Sequence, residues 1–370
     1  MPTISIDLRM LHSSGVGTYL RNLVPLVISA CPNAEFCLMG NLDEISSHRW
    51  AHSKNVLLVD CRAPIYSVAE QLELFRKTPK GTELFWSPHY NIPLLYSGKL
   101  LVTVHDVFHL AMPQYAGGLH KRLYAKGMFA ALRRKADAIL CDSAFTKKVL
   151  VRLTGRGRQE VHTVHLGLDA SWFHVSKNRN PHSRPFLLFV GNVKPNKNLK
   201  TLIEAFGLIK DDVPHDLVIV GRREGFITGD ETVVAEAATL GDRVRFTGYV
   251  GDDLLRQYLA HADALVLPSL YEGFGLPPLE AMACRCPVIV SNAASLPEVC
   301  GDAALYCDPH DPTDIADKIR QLTNDMNLQD VLRQRGLERA NNSPGKSARR
   351  RRWPLSGNCR EETKKDKERS

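Results

Sequence analysis

Two features of membrane and exported proteins are missing from this sequence of 370 residues. No stretch of eighteen consecutive apolar residues occurs, which predicts that no helix spans a membrane. The first residues contain neither a basic segment nor an apolar stretch, so the chain does not begin with a pattern typical of a signal peptide. We therefore expect a cytoplasmic protein.

Paired cysteine motifs are missing as well. The nine cysteines are scattered, and two close pairs, Cys284 with Cys286 and Cys300 with Cys307, have neither CxxC spacing nor histidines nearby. Structural zinc sites usually combine such pairs, and an odd, scattered set does not indicate a disulfide framework. We expect buried thiols and no metal site.

The composition is that of a folded protein with an uneven charge. With 44% hydrophobic and 24% charged residues, the chain as a whole is neither disordered, nor collagen-like, nor a small disulfide scaffold. Residues 1–180 carry 22 Lys and Arg against 13 Asp and Glu, whereas residues 181–340 carry 16 against 23. The first half is therefore basic, and the second half is acidic.

The basic residues of the first half form clusters between Lys121 and Arg158. Such clusters are most often solvated helix faces. The alternative is a surface that attracts an anionic membrane or a phosphate-bearing substrate. Because no zinc finger, aromatic RNP pair or helix-turn-helix accompanies the charge, we expect no nucleic-acid partner.

Short apolar strands alternate with helical periods along the chain. One series of strands runs from Thr3 to Val164 and a second from Phe186 to Tyr306. This alternation is typical of parallel sheets covered by helices on both faces. It predicts a two-domain α/β protein whose active site lies in the cleft between the domains, at the carboxyl ends of the strands.

The domain boundaries are predicted from the linker. Residues 177–185 are polar, flanked by proline and without periodicity, so they separate the two series of strands. We place the first domain at residues 1–175 and the second at residues 176–340. Residues 341–370 are rich in arginine and lysine and poor in apolar residues, which predicts a basic, disordered tail.

The strongest local motif follows the strand that ends near Leu267. Glu272 and Glu280 are separated by seven residues that include two glycines and two prolines. Proline suits the first turn of a helix, so the first carboxylate is expected in a loop and the second on the following helix. The main-chain N–H groups between them would favour an anion near the helix N-terminus. The alternative is a capped turn with solvent-exposed glutamates.

This motif resembles the E-x7-E motif of family 4 retaining glycosyltransferases. Other segments resemble the same family in the same order along the chain, at residues 136–147, 164–173, 191–198 and 244–250. The resemblance implies two Rossmann-like domains facing across a cleft, the GT-B fold, with residues 1–175 as the acceptor-side domain and residues 176–340 as the nucleotide-sugar domain. It also implies sugar transfer from a nucleotide donor with retention at the anomeric carbon and without an obligatory metal or other cofactor.

The resemblance also implies roles for residues of the second domain. Glu272 is expected to contact the donor sugar, Glu280 the ribose hydroxyls, and Lys197 the leaving diphosphate. A preorganised cation acts most strongly where negative charge develops in the transition state. The alternative for Lys197 is a solvated helix start. The expected substrate-binding residues between and beside them are Asn192, Lys194, Val250, Phe274, Gly275 and Leu276.

Three of the expected residues belong to the first domain. Gly15 and Gly17 precede a helix predicted to begin at Tyr19, and they resemble the glycine-rich diphosphate loop of the family. A tight turn is the alternative for this pair. His105 follows an apolar strand and is expected near the donor sugar as a catalytic residue, through a ring hydrogen bond or its carbonyl. The alternative for His105 is a packed histidine beside a capping aspartate.

The whole sequence most resembles bacterial enzymes of O-antigen and capsule assembly. We expect transfer of a hexose, with mannose from GDP-mannose favoured, to a polyprenyl-linked or other cell-surface saccharide. Such an enzyme would work at the inner face of the plasma membrane as a peripheral protein. The alternatives are a nucleotide-sugar 2-epimerase of the same fold, a dinucleotide-dependent oxidoreductase and a basic binding protein without enzymatic activity.

Overall fold

The computed structural model describes residues 1–115, 117–155, 157, 159–221 and 231–343. These residues form two parallel α/β domains, one around each predicted series of strands. Most of the predicted tail, from residue 344 onward, lies outside the described residues, as do Arg156 and Arg158 of the basic clusters. Among the described helices, none is long and apolar enough to cross a membrane.

The first sheet has seven strands, all parallel, in the order β3-β2-β1-β4-β5-β6-β7. Its strands are β1 Thr3–Asp7, β2 Glu35–Gly40, β3 Val56–Asp60, β4 Thr82–Ser87, β5 Lys99–Val104, β6 Ala138–Cys141 and β7 Glu160–Thr163. Its helices are α1 Ser14–Ala30, α2 Leu42–Ile45, α3 Val68–Lys77, α4 Phe108–Ala111, α5 Leu119–Lys135 and α6 Ala144–Thr154.

The second sheet has six parallel strands in the order β10-β9-β8-β11-β12-β13. Its strands are β8 Phe186–Val190, β9 Asp216–Val220, β10 Val244–Gly248, β11 Ala264–Leu267, β12 Val288–Ser291 and β13 Leu305–Cys307. Its helices are α7 Leu199–Ile209, α8 Glu231–Thr239, α9 Asp252–His261, α10 Leu276–Ala283, α11 Leu296–Cys300, α12 Pro312–Asn324 and α13 Met326–Asn341.

The predicted α/β architecture is confirmed, but the start of the first helix was wrong. α1 begins at Ser14, five residues before the predicted start at Tyr19. The Gly17 N–H donates to the Ser13 carbonyl at 2.7 Å, so both glycines of the predicted loop belong to the first helical turn. The low helix propensity of glycine suggested a loop, and packing of the helix outweighs this propensity.

Helix α13 was not predicted, because its apolar periodicity is weak. Only Leu332, Gly336 and Ala340 are buried along its sixteen residues. Gly336 permits close packing on α10, since an added Cβ would lie 3.0 Å from Met282 Cγ. The Asp325 side chain caps the helix by accepting a hydrogen bond from the Leu328 N–H. Small contacts and a cap thus maintain a helix that a hydrophobic pattern does not reveal.

The order of the strands determines where a ligand can bind. In the first sheet the chain reverses its direction of growth between β1 and β4, and in the second between β8 and β11. The loops that leave the carboxyl ends of these strands diverge, which opens a crevice at each such switch point. Gly15 and Gly17 follow β1, whereas Lys197 follows β8 and Glu272 follows β11. The predicted residues therefore lie at the two positions that the topology favours.

Candidate active site

The two glutamates of the motif occupy the predicted kinds of position. Glu272 lies in the loop after β11 and Glu280 on α10. Both are almost buried, with exposed fractions of 9% and 8%. The alternative of a turn with solvent-exposed glutamates does not describe this geometry.

Glu272 has close polar partners. Lys197 Nζ lies 2.6 Å from Glu272 Oε1, and the Ser269 hydroxyl donates to the same oxygen at 2.8 Å. Removal of one partner from an ion pair with so little solvent contact leaves an uncompensated charge. The Glu272 carboxylate and Lys197 therefore form an ion pair. An anionic ligand would compete with Glu272 for the ammonium group of Lys197.

Two asparagines hold the lysine segment against the loop. The Asn196 side chain donates to the Tyr271 carbonyl at 3.1 Å, and its own carbonyl accepts from the Leu270 N–H at 2.8 Å. Asn198 adopts a left-handed conformation with φ 57°, and its amide donates to the Pro268 carbonyl at 3.0 Å. Asparagine tolerates this conformation better than most residues. Sequence reasoning missed both asparagines as positioning residues.

Lys194 provides a second cation near Lys197. Partial burial and the charge of Lys197 lower the pKa of Lys194, while the carboxylates of Asp106 and Glu272 oppose that shift. Asp106 belongs to the first domain, so the electrostatic interactions extend across the cleft. Asn192 lies in the same loop, between β8 and α7, and carries no charge of its own.

Glu280 has different surroundings from Glu272. Among the described residues, no hydrogen bond to its carboxylate is found, although the side chain is almost buried. Burial, with a smaller contribution from the Asp252 carboxylate, raises the pKa of Glu280 to about 8. Asp252 opens α9 two residues after Val250. A carboxyl group with unmet hydrogen-bonding capacity at this position can accept hydroxyl donors from a ligand.

The loop between the glutamates is shaped by one glycine and one serine. Gly275 has φ 109°, a conformation that L-residues rarely adopt, and it directs the chain into α10. The Ser295 Oγ lies 2.7 Å from the Phe274 carbonyl and 3.0 Å from the Glu272 carbonyl. The loop is therefore anchored through its carbonyl groups. Its main-chain N–H groups lead into that of Leu276, the first residue of α10. The N-terminus of this helix favours an anion.

His105 is held on both sides of its ring. Its Nδ1 lies 2.6 Å from Asp142 Oδ2, and its Nε2 lies 2.9 Å from the Pro88 carbonyl. Burial disfavours the charged ring, but the charge and hydrogen bond of Asp142 outweigh it and raise the pKa of His105. Both N–H groups are thus committed. A ring hydrogen bond to a sugar would require one of these partners to be given up.

The glutamate loop contacts the first domain directly. The Gly273 carbonyl accepts hydrogen bonds from the Ser143 hydroxyl at 2.6 Å and the Thr146 hydroxyl at 2.9 Å. A Cβ at Gly273 would lie 2.1 Å from the His105 carbonyl oxygen, so only glycine fits. The Tyr271 ring packs into the core of the first domain. The two predicted catalytic segments therefore touch at the His105 backbone.

A second contact between the domains involves Glu298 on α11. Its carboxylate accepts from the N–H groups of Ala144 at 2.7 Å and Phe145 at 2.9 Å, and it lies 2.7 Å from His165 Nε2. Burial favours the neutral acid, but these hydrogen bonds outweigh it and lower the pKa of Glu298. Sequence reasoning missed this residue, because its partners are more than 130 positions away.

The two glycines of α1 have different surroundings. A Cβ at Gly17 would lie 2.3 Å from the Leu11 carbonyl oxygen, so packing alone requires glycine there. Around Gly15, no heavy atom lies within 4 Å of the corresponding position. Gly15 therefore leaves open space beside the first turn of α1, after the carboxyl end of β1.

Neither a metal cluster nor a disulfide is found in the described part of the chain. No group of three or more His, Cys, Asp or Glu side chains there could hold a metal ion. No disulfide joins any two of the eight described cysteines, and all of them except Cys31 are buried.

Comparison with known sequences identifies relatives along most of the chain. Residues 171–339 match the family described as glycosyl transferases group 1. The chain is 30% identical to O-antigen chain mannosyltransferase B of Escherichia coli over 267 residues, which are 70% of this chain and 69% of that relative. It is 28% identical over 229 residues to O-antigen chain mannosyltransferase RfbU of Salmonella typhimurium, with 62% of each chain covered.

Solved structures share the architecture. Sucrose-phosphate synthase from Thermosynechococcus elongatus superimposes with a TM-score of 0.73 at 20% identity, covering 94% of this chain and 96% of that one. HepE from Anabaena, solved with UDP and glucose, gives a TM-score of 0.72 at 17% identity, with 93% and 95% covered. At such identities the likeness shows the GT-B fold alone. With the identity to the O-antigen relative, it establishes that this chain belongs to the group 1 glycosyl transferases and is a glycosyltransferase.

Proposed function

We propose that this enzyme transfers mannose from GDP-mannose to a saccharide acceptor, with retention of configuration and without a metal ion. The names of the O-antigen relatives support the choice of sugar. The observation that carries the proposal is the contrast between two nearly buried glutamates at one switch point. Glu272 is paired with Lys197, whereas Glu280 has no hydrogen-bond partner among the described residues.

The contrast suggests a division of work on the donor. Lys197 and the N-terminus of α10 stabilise the negative charge that develops on the diphosphate as the glycosidic bond breaks. Glu272, released in part from Lys197, accepts hydrogen bonds from the hydroxyls of the sugar. Glu280 accepts hydrogen bonds from the ribose hydroxyls, and the main chain near Val250 contacts the base.

The acceptor side of the proposal includes a membrane. Helix α5 exposes Leu119 and Leu123, with exposed fractions of 68% and 58%, beside Lys121, Arg122 and Lys126. Exposed leucines among basic residues suit the headgroup region of an anionic bilayer, where each basic residue contributes about 1 kcal/mol. A polyprenyl-linked saccharide would then be reached from this surface.

Radiolabelled GDP-mannose and a polyprenyl-diphosphate-linked saccharide test the transfer. We expect acceptor-dependent incorporation that Glu272→Ala reduces by well over tenfold while the circular-dichroism spectrum is unchanged. Incorporation from UDP-sugars alone would contradict the donor assignment. Conversion of a nucleotide sugar without any acceptor would instead support an epimerase.

Sedimentation with vesicles tests the membrane surface separately. The wild type should bind phosphatidylglycerol vesicles and not phosphatidylcholine vesicles, and a Leu119→Ser, Leu123→Ser variant should bind at least fivefold more weakly. Equal binding by the variant would exclude α5 as the contact.

A further inference from the structure

Tyr66 combines a strained backbone with an exposed ring. Its φ is 70°, a left-handed conformation that is rare for a bulky residue, and 47% of its surface is exposed. Such strain persists only where surrounding structure imposes it, and it is found mainly at functional sites. An exposed aromatic ring held at this cost is therefore a candidate for ligand contact.

A buried carboxylate imposes the conformation. The Tyr66 N–H donates to Glu70 Oε2 at 2.7 Å, and the Glu70 side chain is completely buried. Its other oxygen accepts from Arg9 and from Asn91, both at 2.6 Å. Ser67 caps α3 by accepting the Glu70 N–H at 3.1 Å. The charged network of Arg9, Glu70 and Asn91 thus fixes the backbone of Tyr66 through the Glu70 carboxylate.

Aromatic neighbours orient the ring. The Tyr124 ring meets it edge to face with centroids 5.8 Å apart, and the His89 ring lies at the same distance on another side. The Tyr124 hydroxyl donates to the Asn91 side chain, which links this ring to the buried network. The His89 Nε2 lies 3.2 Å from the Tyr66 hydroxyl. Tyr66 is therefore fixed in direction although it is half exposed.

His89 is a neutral polar neighbour of the ring. Burial, together with the charges of His105, His109 and Arg9, lowers the pKa of His89 to about 3. Its Nδ1 accepts the Asn91 N–H at 3.2 Å, so in the neutral ring the proton lies on Nε2 and is donated to the Tyr66 hydroxyl. The exposed ring is thus flanked by an uncharged donor rather than by a cation.

The cluster faces the active-site cleft. His89 follows Pro88, whose carbonyl holds the His105 ring, at the carboxyl end of β4. Burial, and in smaller part the Asp106 carboxylate, raises the pKa of Tyr66. Asp106 also acts on Lys194 of the second domain. Tyr66 is thus within electrostatic reach of a carboxylate that lies between the domains.

We propose that Tyr66 is the platform on which a sugar ring of the acceptor stacks. A half-exposed, rigid aromatic ring with polar groups at its edge matches a sugar, whose C–H face is apolar and whose rim is hydroxylated. The inference rests on the proposed function, since a saccharide acceptor is assumed. It assigns the acceptor to the switch point of the first sheet, opposite the donor residues.

Saturation-transfer NMR with a mannose trisaccharide tests the platform without turnover. In the wild type and in Tyr66→Phe, we expect saturation transfer to the C–H protons of one sugar face. In Tyr66→Ala, this signal should be at least tenfold weaker. Phe75→Ala, at an exposed position of α3, the helix that follows Tyr66, is the matched control and should behave as the wild type. Absence of saturation in the wild type, or equal saturation in Tyr66→Ala, would overturn the proposal.

Binding of GDP-mannose, measured by calorimetry on the same variants, separates this test from the proposed function. We expect Tyr66→Ala to change donor affinity by less than twofold and to unfold cooperatively. A parallel loss of donor affinity would indicate a general structural defect and contradict the platform. Failure of the wild type to bind GDP-mannose, with saccharide saturation intact, would contradict the donor assignment alone.

Discussion

The two domains place polar groups at their switch points in different ways. In the second domain, Lys197 and the two glutamates come from two short segments, residues 191–198 and 268–280. In the first domain, Glu70 is held by Arg9 and Asn91, which lie 61 and 21 positions away. The proposed donor side is therefore built from local motifs. The proposed acceptor side is built from long-range contacts, which a sequence pattern does not display.

The domains also differ in charge and in core. The basic half contains the exposed leucines of α5, whereas the acidic half has one extensive core that also takes in Trp172 from the segment before the linker. In the acidic domain, a few placed lysines supply the positive charge that binding of an anionic donor needs. A basic domain with exposed apolar groups suits an acceptor presented by a surface.

The largest effect is expected from the donor-side cation. Lys197→Ala removes the partner of Glu272 and the charge that we propose stabilises the leaving diphosphate. Loss of one such preorganised group typically lowers kcat by about 10²–10³-fold. Steady-state transfer measures it, with Lys200→Ala, an exposed lysine in the first turn of α7, as the control. A change of less than about threefold in Lys197→Ala would show that the second domain does not stabilise the leaving group through this residue.

The contact between the domains provides the next test. Gly273→Ala places a methyl group against the His105 carbonyl, and backbone atoms cannot yield as a flexible side chain can. We expect transfer to fall by more than tenfold and the melting temperature to drop.

Gly127→Ala on α5 is the matched control, because no heavy atom lies within 4 Å of the added carbon. A helical alanine there should be neutral or stabilising by up to about 1 kcal/mol. If both variants behaved alike, the close approach of the two loops would not be required for activity.

The pH dependence of donor binding should report on Glu280. In the free enzyme, burial raises the pKa of Glu280 to about 8. Hydroxyl donors of a bound ribose favour the ionised carboxylate, so binding lowers this pKa and releases a proton. Affinity should therefore rise with pH up to about 8, by at most about tenfold per unit.

Calorimetry at pH 7 in buffers of different ionisation enthalpy measures the released proton directly. Glu280→Gln should abolish the release, because its amide does not titrate. Release that persists in this variant would assign the titration to another group.

Elements whose residues are close together along the chain were predictable from the sequence. The strand order was not predictable, but the alternation that produces two parallel sheets was, and so was the placement of Glu272 in a loop and Glu280 on a helix. The predicted start of α1 was wrong, because the packing that keeps Gly15 and Gly17 in the helix is not visible in the sequence. Tyr66 and Glu298 escaped notice, since a left-handed backbone and a contact across 154 positions become visible only in three dimensions.

The smallest effect is expected at Glu298, where α11 of the second domain meets the start of α6. Glu298→Ala leaves the N–H groups of Ala144 and Phe145 at the start of α6 without their acceptor. Loss of such a cap costs about 0.5–2 kcal/mol. Glu160→Ala, an exposed surface glutamate, is the control and should cost less than about 0.5 kcal/mol.

The destabilisation caused by Glu298→Ala should depend on pH. Because folding lowers the pKa of Glu298, its contribution is present above the ordinary value of 4.5 and is lost as the pH falls through the lowered value. Urea unfolding should therefore separate wild type from Glu298→Ala at pH 7, and the two should converge in acid. A difference that stays constant down to pH 3 would show that the carboxylate charge is irrelevant. The domains would then be held by the Gly273 contact and by the Tyr271 ring.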